Sequence, residues 1–265
     1  MDLVTLFSAY VVSSSAALLF MSLVFLISWR LKRYDVVDIA WGLVFIVIAI
    51  TAVLVHSPTP ITAIIATGLV IVWGTRLALH IGNRWRHSQQ EDRRYIELRR
   101  KWPKRFIDLQ IFVKIFLTQG LLASFIMLPV IIMSAGLSTN ISLLTVAGVS
   151  IWCIGFIIEL VADRQLSKFL KQPTESGKLM TTGLWRYSRH PNYFGEILLW
   201  WGIGIVGLYQ VAGVFGLIGP LFITFLIVFV SGIPPAERGM TKKAGWNDYK
   251  ARTSVLIPLR TRKLR

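Results

Sequence analysis

Repeated apolar stretches long enough to cross a lipid bilayer are the feature that most constrains this chain. A spanning helix needs roughly 20 predominantly apolar residues, each adding about 1.5 Å of length. We predict a membrane-spanning helix at each of seven such stretches: Leu3–Trp29, Val36–Val55, Ile61–Gly82, Ile107–Met133, Ile141–Ala162, Tyr193–Leu208 and Val211–Ile233. The expected fold class is therefore all-α, a polytopic bundle that forms one integral membrane domain over residues 1–265.

Composition agrees with this class and excludes others. The apolar set makes up 54% of the chain before glycine is counted, and charged residues make up only 16%. In an ordinary soluble domain the apolar residues make up about 45–50% of the chain with glycine included. The longest segment outside the predicted spans before the carboxyl-terminal tail, Asp163–Asn192, is shorter than the ~40 residues that an independent domain needs. Any large cofactor must therefore be held by helix ends and by the capping loops 83–105, 163–192 and 232–265.

Basic residues mark one side of the predicted membrane. Lys and Arg number 29 against 13 acidic residues, which gives a net charge of +16. All but Arg76 and Lys114 fall in four connecting segments: Arg30–Asp35, Asn83–Arg105, Asp163–Asn192 and Gly232–Arg265. Because short loops rich in Lys and Arg remain in the cytoplasm, we predict an external amino terminus and a cytoplasmic carboxyl terminus. The excess charge also attracts anionic membrane lipids, and no nucleic-acid partner is expected.

A glycine motif in the sixth predicted span resembles a nucleotide-binding signature. Residues Gly202–Gly207 spell G-x-G-x-x-G. That pattern binds a pyrophosphate only where it follows a strand and opens a helix. Here it follows Trp200 and Trp201 inside an apolar stretch. We therefore interpret these glycines as small residues that let two helices pack closely.

Ionisable side chains inside apolar stretches are functional candidates. Each costs ~2.5–3.5 kcal/mol on insertion scales unless it is paired or faces a cavity. The chain has five at or within its predicted spans: Asp38, Arg76, Lys114, Glu159 and Glu196. Structural alternatives remain open for three of them. Lys114 can extend its amine to the interface, Asp38 can interact with the positive end of its helix, and Arg76 can pair with a neighbouring helix.

Glu159 and Asp163 lie four residues apart and so share one face of the fifth predicted helix. Two like charges near a helix carboxyl end repel each other and are disfavoured by the helix dipole. Such a pair needs nearby cations, for which Arg164, Lys168 and Lys178 are candidates, or the hydroxyls and amides of a ligand. We predict either a ligand site or a buried salt-bridge network.

The densest polar segment is Gly183–Glu196, with the sequence GLWRYSRHPNYFGE. Because Pro191 cannot continue a helix on its amino side and Asn192 is a good cap, we predict a loop followed by a helix from Tyr193. Glu196 would lie one turn deeper. Three basic side chains precede this helix start: Arg186, Arg189 and His190. Together with the unpaired amides of the helix they predict an anion pocket.

The segment Arg189–Glu196, the Glu159 and Asp163 pair and the terminal Tyr249 with Ile257-Pro258 resemble a known membrane superfamily. It contains the steroid 5-alpha-reductases and the isoprenylcysteine carboxyl methyltransferases. The whole chain resembles the bacterial DUF1295 group, described as 5-alpha-reductase-like, through three further motifs: Asp38-Ile39-Ala40-Trp41-Gly42, Trp73-Gly74-Thr75-Arg76-Leu77 and Glu91-Asp92-Arg93-Arg94-Tyr95. The resemblance implies a protein of the bacterial inner membrane.

The resemblance also implies NADPH bound from the cytoplasmic side, and hydride transfer to a C=C bond conjugated to a carbonyl in a lipid-like or steroid-like substrate. In the reductases an Asn and an Asp one turn apart contact the cofactor, and this chain has Glu159 and Asp163 there. The implied cofactor-binding residues are Glu159, Asp163, Arg164, Lys178, Tyr187, Arg189, His190, Asn192, Arg238 and Lys242.

The resemblance assigns the catalytic roles less completely. The substrate-side acid of the reductases would fall at Asp38, whereas its tyrosine partner would fall near Trp73–Arg76, where this chain has no Tyr. Hydride transfer needs an acid for the developing enolate. We therefore expect the catalytic residues to be Asp38, Glu196 and Arg76.

Two alternatives belong to other classes. Methyltransferases of the same superfamily also carry Arg-His-Pro-x-Tyr and bind S-adenosylmethionine, but they have paired glutamates after the last helix where this chain has Glu237-Arg238. A non-catalytic membrane protein that keeps the scaffold is the second alternative. Metal catalysis is not expected, because the four His and one Cys show no ligand spacing.

Overall fold

The computed structural model describes residues 3–55, 58–88, 90–136, 140–172, 174, 177–210 and 212–261. Within them the secondary structure is helical, with one isolated bridge between Ser188 and Ser254 and no sheet. The helices are α1 (Leu3–Leu31), α2 (Val36–Val55), α3 (Ile61–His87), α4 (Arg93–Arg100), α5 (Ile107–Ile111), α6 (Thr118–Ile126), α7 (Leu128–Ser134), α8 (Leu143–Leu170), α9 (Pro191–Gly207), α10 (Gly213–Gly216), α11 (Ile218–Phe225), α12 (Ile233–Met240) and α13 (Trp246–Arg252). The predicted all-α class is confirmed.

Three short segments of other helical type also lie within the described residues. A π-helix at Phe112–Leu117 joins α5 to α6, a second one at Leu226–Val230 extends α11, and a 3-10 turn covers Gly183–Arg186. Six segments of the described chain are long and apolar enough to cross a membrane: Leu3–Leu31, Val36–Val55, Ile61–His87, Ile107–Ile126, Leu143–Leu170 and Gly213–Met240. The prediction of a polytopic membrane protein is thereby confirmed.

The sixth predicted span, Tyr193–Leu208, corresponds to α9. This helix has 17 residues, so it is about 25 Å long, whereas the hydrocarbon core of a bilayer is roughly 30 Å thick. A membrane crossing by α9 therefore stays a prediction. The external position of the amino terminus also stays a prediction.

Two helices extend beyond the predicted spans. α3 continues past Gly82 to His87, and α8 continues past Ala162 to Leu170. Both extensions end in basic side chains, which interact favourably with the negative end of a helix dipole. Hydropathy therefore locates the edge of the membrane but not the end of the helix.

Prolines lie at two helix starts near the predicted spans. The span Ile107–Met133 breaks at Met127, because Pro129 lies at the start of α7. The last predicted span ends at Ile233, where α12 begins with Pro234 and Pro235 in its first turn. Proline lacks the amide hydrogen that a helix interior requires, so it is tolerated only at a helix start.

Contacts divide the chain into two compact units, and the first comprises Met1–Ser142 and Gly207–Gly219. Its core contains α1, α2 and α3. Gly42 and Gly74 bring the backbones of α2 and α3 together, since a methyl group on either would overlap the other's carbonyl oxygen. Phe45 packs edge to face on Trp73 with 5.3 Å between ring centroids. The single domain over residues 1–265 stays a prediction.

The second unit comprises Leu143–Val206 and Pro220–Arg265, and glycines hold its two central helices together. Gly148 and Gly155 on α8 face Gly202 and Gly195 on α9. A Cβ added to Gly155 would lie 2.6 Å from the carbonyl oxygen of Gly195, and one added to Gly202 would lie 2.7 Å from that of Gly148. The interpretation of Gly202 as a packing residue is confirmed.

We predict that Gly155→Ala destabilises the protein even though alanine favours a helix. The new methyl group must displace the α9 backbone, and overpacking of this kind costs roughly 1–3 kcal/mol. Gly68→Ala on α3 is the control, because no atom lies within 4 Å of a Cβ at Gly68. We expect Gly68→Ala to be neutral or stabilising by up to about 1 kcal/mol. Unfolding in detergent measures both, and equal stabilities would contradict the packing role.

Candidate functional site

Each unit contains a cluster of polar side chains, and the cluster of the second unit lies on α8 and α9. Glu159 and Asp163 on α8 are 3% and 9% exposed, which places both carboxyl groups inside the protein. A Cβ added to Gly195 would lie 2.6 Å from the backbone nitrogen of Glu159. The close approach of α9 brings Asn192 next to the Asp163 carboxylate, and Glu196, which is half-buried, lies one helical turn after Asn192.

Asn192 and Asp163 form a direct contact between the two helices. The Asn192 Nδ2 donates a hydrogen bond of 3.2 Å to the Asp163 Oδ1. The amide oxygen of the same side chain, Asn192 Oδ1, is buried without a hydrogen-bond partner among the described residues. A buried polar atom left unsatisfied costs about 1–3 kcal/mol, so its presence is evidence for a missing donor.

We call Glu159, Asp163, Asn192 and Glu196 the acid–amide cluster. It offers three carboxyl groups, which accept hydrogen bonds from N–H or O–H donors when ionised, and one open amide oxygen, which also accepts. Such a set suits a ligand with several donors, for example a carboxamide, ribose hydroxyls or an ammonium group. It does not suit a bare phosphate.

The helix that carries Asn192 begins earlier than predicted. α9 starts at Pro191 rather than at Tyr193, with the backbone nitrogen of Phe194 donating to the carbonyl oxygen of His190. Proline at the first helical position loses nothing, because that amide has no intrahelical partner. Asn192 is thus inside the first turn instead of capping it, which frees its side chain for Asp163.

Arg189 and His190 point into the protein. The Arg189 Nε lies 2.9 Å from the Glu237 Oε1, and the Arg189 Nη1 donates to the carbonyl oxygen of Lys250 at 3.1 Å. The His190 Nε2 lies 3.3 Å from the same Glu237 oxygen. Burial lowers the pKa of His190, although Glu237 acts in the opposite direction. Both side chains thus contact the Glu237 carboxylate, and the anion pocket predicted around them stays a prediction.

The carboxyl-terminal segment is bound to the loop before α9 by several hydrogen bonds. The backbone nitrogen of Arg189 donates to Ser254 at 2.8 Å, and the Ser188 Oγ donates to the carbonyl oxygen of Leu256 at 2.6 Å. The Tyr249 hydroxyl donates to the carbonyl oxygen of Trp185 at 2.6 Å. Burial raises the pKa of Tyr249, which keeps this donor protonated.

The remaining predicted cofactor residues of this unit lie at its surface: Arg164, Lys178, Tyr187, Arg238 and Lys242. The carbonyl oxygen of Lys178 accepts a hydrogen bond of 2.9 Å from the Lys243 Nζ. The Arg238 Nε contacts the carbonyl oxygen of Pro234 at 3.3 Å. These exposed cations are not part of the acid–amide cluster, and their predicted contacts with a cofactor stay predictions.

The second cluster lies in the first unit and contains Asp38, near the start of α2. The Tyr95 hydroxyl donates to the Asp38 Oδ1 at 2.5 Å, and the Arg94 Nη2 lies 2.7 Å from the Asp38 Oδ2. Burial, followed by the charge and hydrogen bond of Asp38, raises the pKa of Tyr95 far above its usual range. The phenol therefore stays protonated at neutral pH.

The segment that carries Tyr95 is fixed by neighbouring carboxylates. Asp92 caps α4 by accepting from the backbone nitrogen of Arg94 at 2.9 Å. Asp35 accepts from the Trp85 indole at 2.9 Å and from the backbone nitrogen of Asp92 at 3.1 Å. Glu91 accepts from the backbone nitrogen of Tyr34 at 2.8 Å. Tyr95 is thus held rigidly against Asp38.

Sequence reasoning missed the pairing of Tyr95 with Asp38. The resemblance places a tyrosine partner of the acid near Trp73–Arg76, and Arg76 is half-buried on α3. The tyrosine that contacts Asp38 in the structure lies on α4, 57 residues later in the chain. Glu91 and Asp92 directly before α4 mark a polar helix start, but no spacing rule relates Asp38 to a residue so far along the chain.

The fold and these clusters define a helical polytopic membrane protein with an acid–amide cluster in one unit and an aspartate–tyrosine pair in the other. A family model described as a protein of unknown function (DUF1295) matches residues 24–253, and the chain belongs to that family. No solved structure matches the chain.

A curated mouse (Mus musculus) protein, 3-oxo-5-alpha-steroid 4-dehydrogenase 1, is 29% identical to this chain over 112 residues. The alignment covers 42% of this chain and 40% of the mouse protein. The chain thus matches less than half of that relative's length.

We predict that Glu237→Gln loosens the carboxyl-terminal segment. Arg189 is 4% exposed, so loss of its carboxylate partner leaves a buried charge uncompensated, at a cost of roughly 3 kcal/mol. Limited proteolysis within residues 232–261 measures the effect. Asp248→Asn on the exposed face of α13 is the matched control and should leave the cleavage rate unchanged. A Glu237→Gln protein as resistant as the wild type would contradict the structural role of this pair.

Proposed function

We propose that this protein is a membrane-embedded reductase that uses NADPH to reduce a C=C bond conjugated to a carbonyl group in a lipid-like or steroid-like substrate. The observation that carries the proposal is the acid–amide cluster with its open Asn192 oxygen. The similarity to a mouse 3-oxo-5-alpha-steroid 4-dehydrogenase supports it. The overall reaction adds one hydride and one proton to the substrate, and NADPH is oxidised to NADP⁺.

The donor and acceptor chemistry of the cluster fits a nicotinamide cofactor. The carboxamide NH2 is a donor that the Asn192 Oδ1 lacks, and the ribose hydroxyls are donors for the carboxyl groups of Glu159 and Asp163. In this proposal the exposed cations Arg164 and Lys178 would contact the phosphates. Bound NADPH would supply the hydride, and the protein would fix the ring and exclude water.

The hydrogen bond between Asn192 and Asp163 orients the amide. Its NH2 is held at 3.2 Å by the Asp163 carboxylate, so the carbonyl oxygen of the same amide is aimed away from α8. Because amide and carboxylate are fixed on two helices in backbone contact, little side-chain entropy remains to be lost on binding. In this role Asn192 and Asp163 are cofactor-binding residues, and Glu196 follows one turn later on the same helix face.

We assign the stabilisation of the substrate oxygen to Tyr95. Hydride addition to the β-carbon moves negative charge to the carbonyl oxygen, and a neutral phenol donor placed there stabilises this enolate. The raised pKa of Tyr95 keeps the O–H intact at neutral pH. In the structure the single Tyr95 proton is donated to the Asp38 carboxylate, which Arg94 also contacts. Uptake of one solvent proton by Asp38 would free the phenol proton for the enolate oxygen, and Asp38 would then pass the proton it took up to the α-carbon and return to a carboxylate.

We predict that NADPH binds the purified protein saturably and that S-adenosylmethionine does not. Asn192→Ala should weaken NADPH binding, because it removes both the open acceptor and the bond to Asp163. Glu196→Gln should abolish turnover while the helical content stays unchanged. Saturable binding of S-adenosylmethionine alone would support the methyltransferase alternative and end the reductase proposal. Binding of neither would support a non-catalytic protein.

We predict that Tyr95→Phe lowers kcat by a factor of about 10²–10³, the usual cost of one lost donor to a developing oxyanion. NADPH affinity should stay within about twofold of the wild-type value, since Tyr95 is not in the acid–amide cluster. Steady-state kinetics with an enone lipid and a separate cofactor titration distinguish the two effects. An unchanged kcat would remove Tyr95 from the mechanism.

A further inference from the structure

An open groove between α2 and α3 is not used by the proposed reaction. It has a volume of about 600 Å³. Its lining consists of Ile39, Leu43, Thr75, Ala78, Leu79, Gly82, Asn83 and Arg86. Leu79 is 68% exposed and Leu43 is 37% exposed, so the groove opens on the outer surface of two helices that can span a membrane. The apolar part of the groove therefore faces lipid.

Gly82 lies at the floor of this groove, and helix packing does not require a glycine at this position. Gly42 and Gly74 are required by the contact between the α2 and α3 backbones, as a methyl group there would overlap a carbonyl oxygen. A Cβ on Gly82 would meet only side-chain atoms of Ile39, at 3.9 Å. Helix packing therefore tolerates a larger residue at Gly82, and the space above it is available to a ligand.

The groove is polar at one end only. Asn83 and Arg86 lie at the end where α3 leaves the apolar stretch, and both are exposed. No ion pair of Arg86 is found among the residues that the structure describes. An arginine beside an amide is a suitable site for a phosphate, because guanidinium and phosphate groups form strong charge-assisted hydrogen bonds.

The length of the groove matches one leaflet of a bilayer. Thr75 and Arg86 are eleven residues apart on one helix, which corresponds to about 17 Å. Half of the roughly 30 Å hydrocarbon core of a membrane is about 15 Å. A ligand with its anionic group on Arg86 would thus have an apolar chain about as long as one leaflet is deep.

We propose that this groove is a binding site for an anionic phospholipid, with one acyl chain over Gly82 and Ala78 and the phosphate on Arg86. The opposite side of α3, with Ile81 and Trp85, borders the aspartate–tyrosine cluster. The lipid site is therefore separate from the residues of the proposed reaction. It holds whether or not the protein is a reductase.

Lipid titration of the delipidated protein, followed by native mass spectrometry, tests the proposal. The probes are phosphatidylglycerol and phosphatidylcholine with identical acyl chains. We expect the wild type to bind phosphatidylglycerol at least tenfold more tightly than phosphatidylcholine. Arg86→Gln should lose this preference, since one charge-assisted contact is worth about a factor of ten. Equal preference in the wild type and Arg86→Gln would overturn the proposal.

Two glycine variants test the acyl-chain part. Gly82→Leu fills the groove and should weaken both lipids at least tenfold. Gly68→Leu on the same helix is the matched control, because a Cβ there meets no atom within 4 Å and Gly68 does not line the groove. Gly68→Leu should bind as the wild type does. Gly82→Leu with wild-type affinity would overturn the proposal.

Soluble glycerol 3-phosphate distinguishes a lipid from a free phosphate ligand. We expect it neither to bind nor to displace phosphatidylglycerol at equal concentration, because most of the site is apolar. Displacement by glycerol 3-phosphate would show an anion site without a chain and would contradict the phospholipid assignment.

Discussion

The direct contact between the backbones of α8 and α9 is the constraint on which the second unit depends. Two glycines on each helix, spaced by seven residues, remove the side chains that would otherwise separate them. In a membrane the hydrophobic effect does not drive helices together, so close packing of this kind must replace it. The same contact brings the Asp163 carboxylate within hydrogen-bond distance of Asn192. The glycines therefore serve both the packing of α8 on α9 and the contact between Asn192 and Asp163.

The two polar clusters are held by different means. The acid–amide cluster is fixed by helix packing, whereas the aspartate–tyrosine pair is fixed by the segment before α4. In that segment the Asp92 amide donates to Asp35, and Glu91 accepts from the Tyr34 amide. The charges of neighbouring carboxylates also stabilise the ionised form of Arg94 in this segment. Burial lowers the pKa of Arg94, but its hydrogen bond to Asp92 and the charge of Asp38 outweigh this and raise it above its usual range. Tyr34 behaves in a related way, since burial and its bond to Asp108 raise its pKa to about 12.

Hydropathy and charge were sufficient to predict the helical membrane class and the position of most spans. They failed where helix and membrane boundaries differ, as at His87 and Leu170, because a helix can continue into water on its own hydrogen bonds and basic side chains. The helix break before α7 is indicated in the sequence by Pro129. The partners of the predicted site residues were less predictable. Glu159 and Asp163 share a face by spacing alone, but Tyr95 and Glu237 reach their partners through tertiary folding, which no local period encodes.

The attachment of the carboxyl-terminal segment has a consequence for biosynthesis. The hydrogen bond from the Ser188 hydroxyl to the carbonyl oxygen of Leu256 cannot form until Leu256 has been synthesised, 68 residues later. At about 5–20 residues per second this delay lasts several seconds, during which the Ser188 hydroxyl and the Arg189 amide lack their carboxyl-terminal acceptors. The attachment of the carboxyl-terminal segment therefore forms late, after the residues of α8 and α9 have been synthesised.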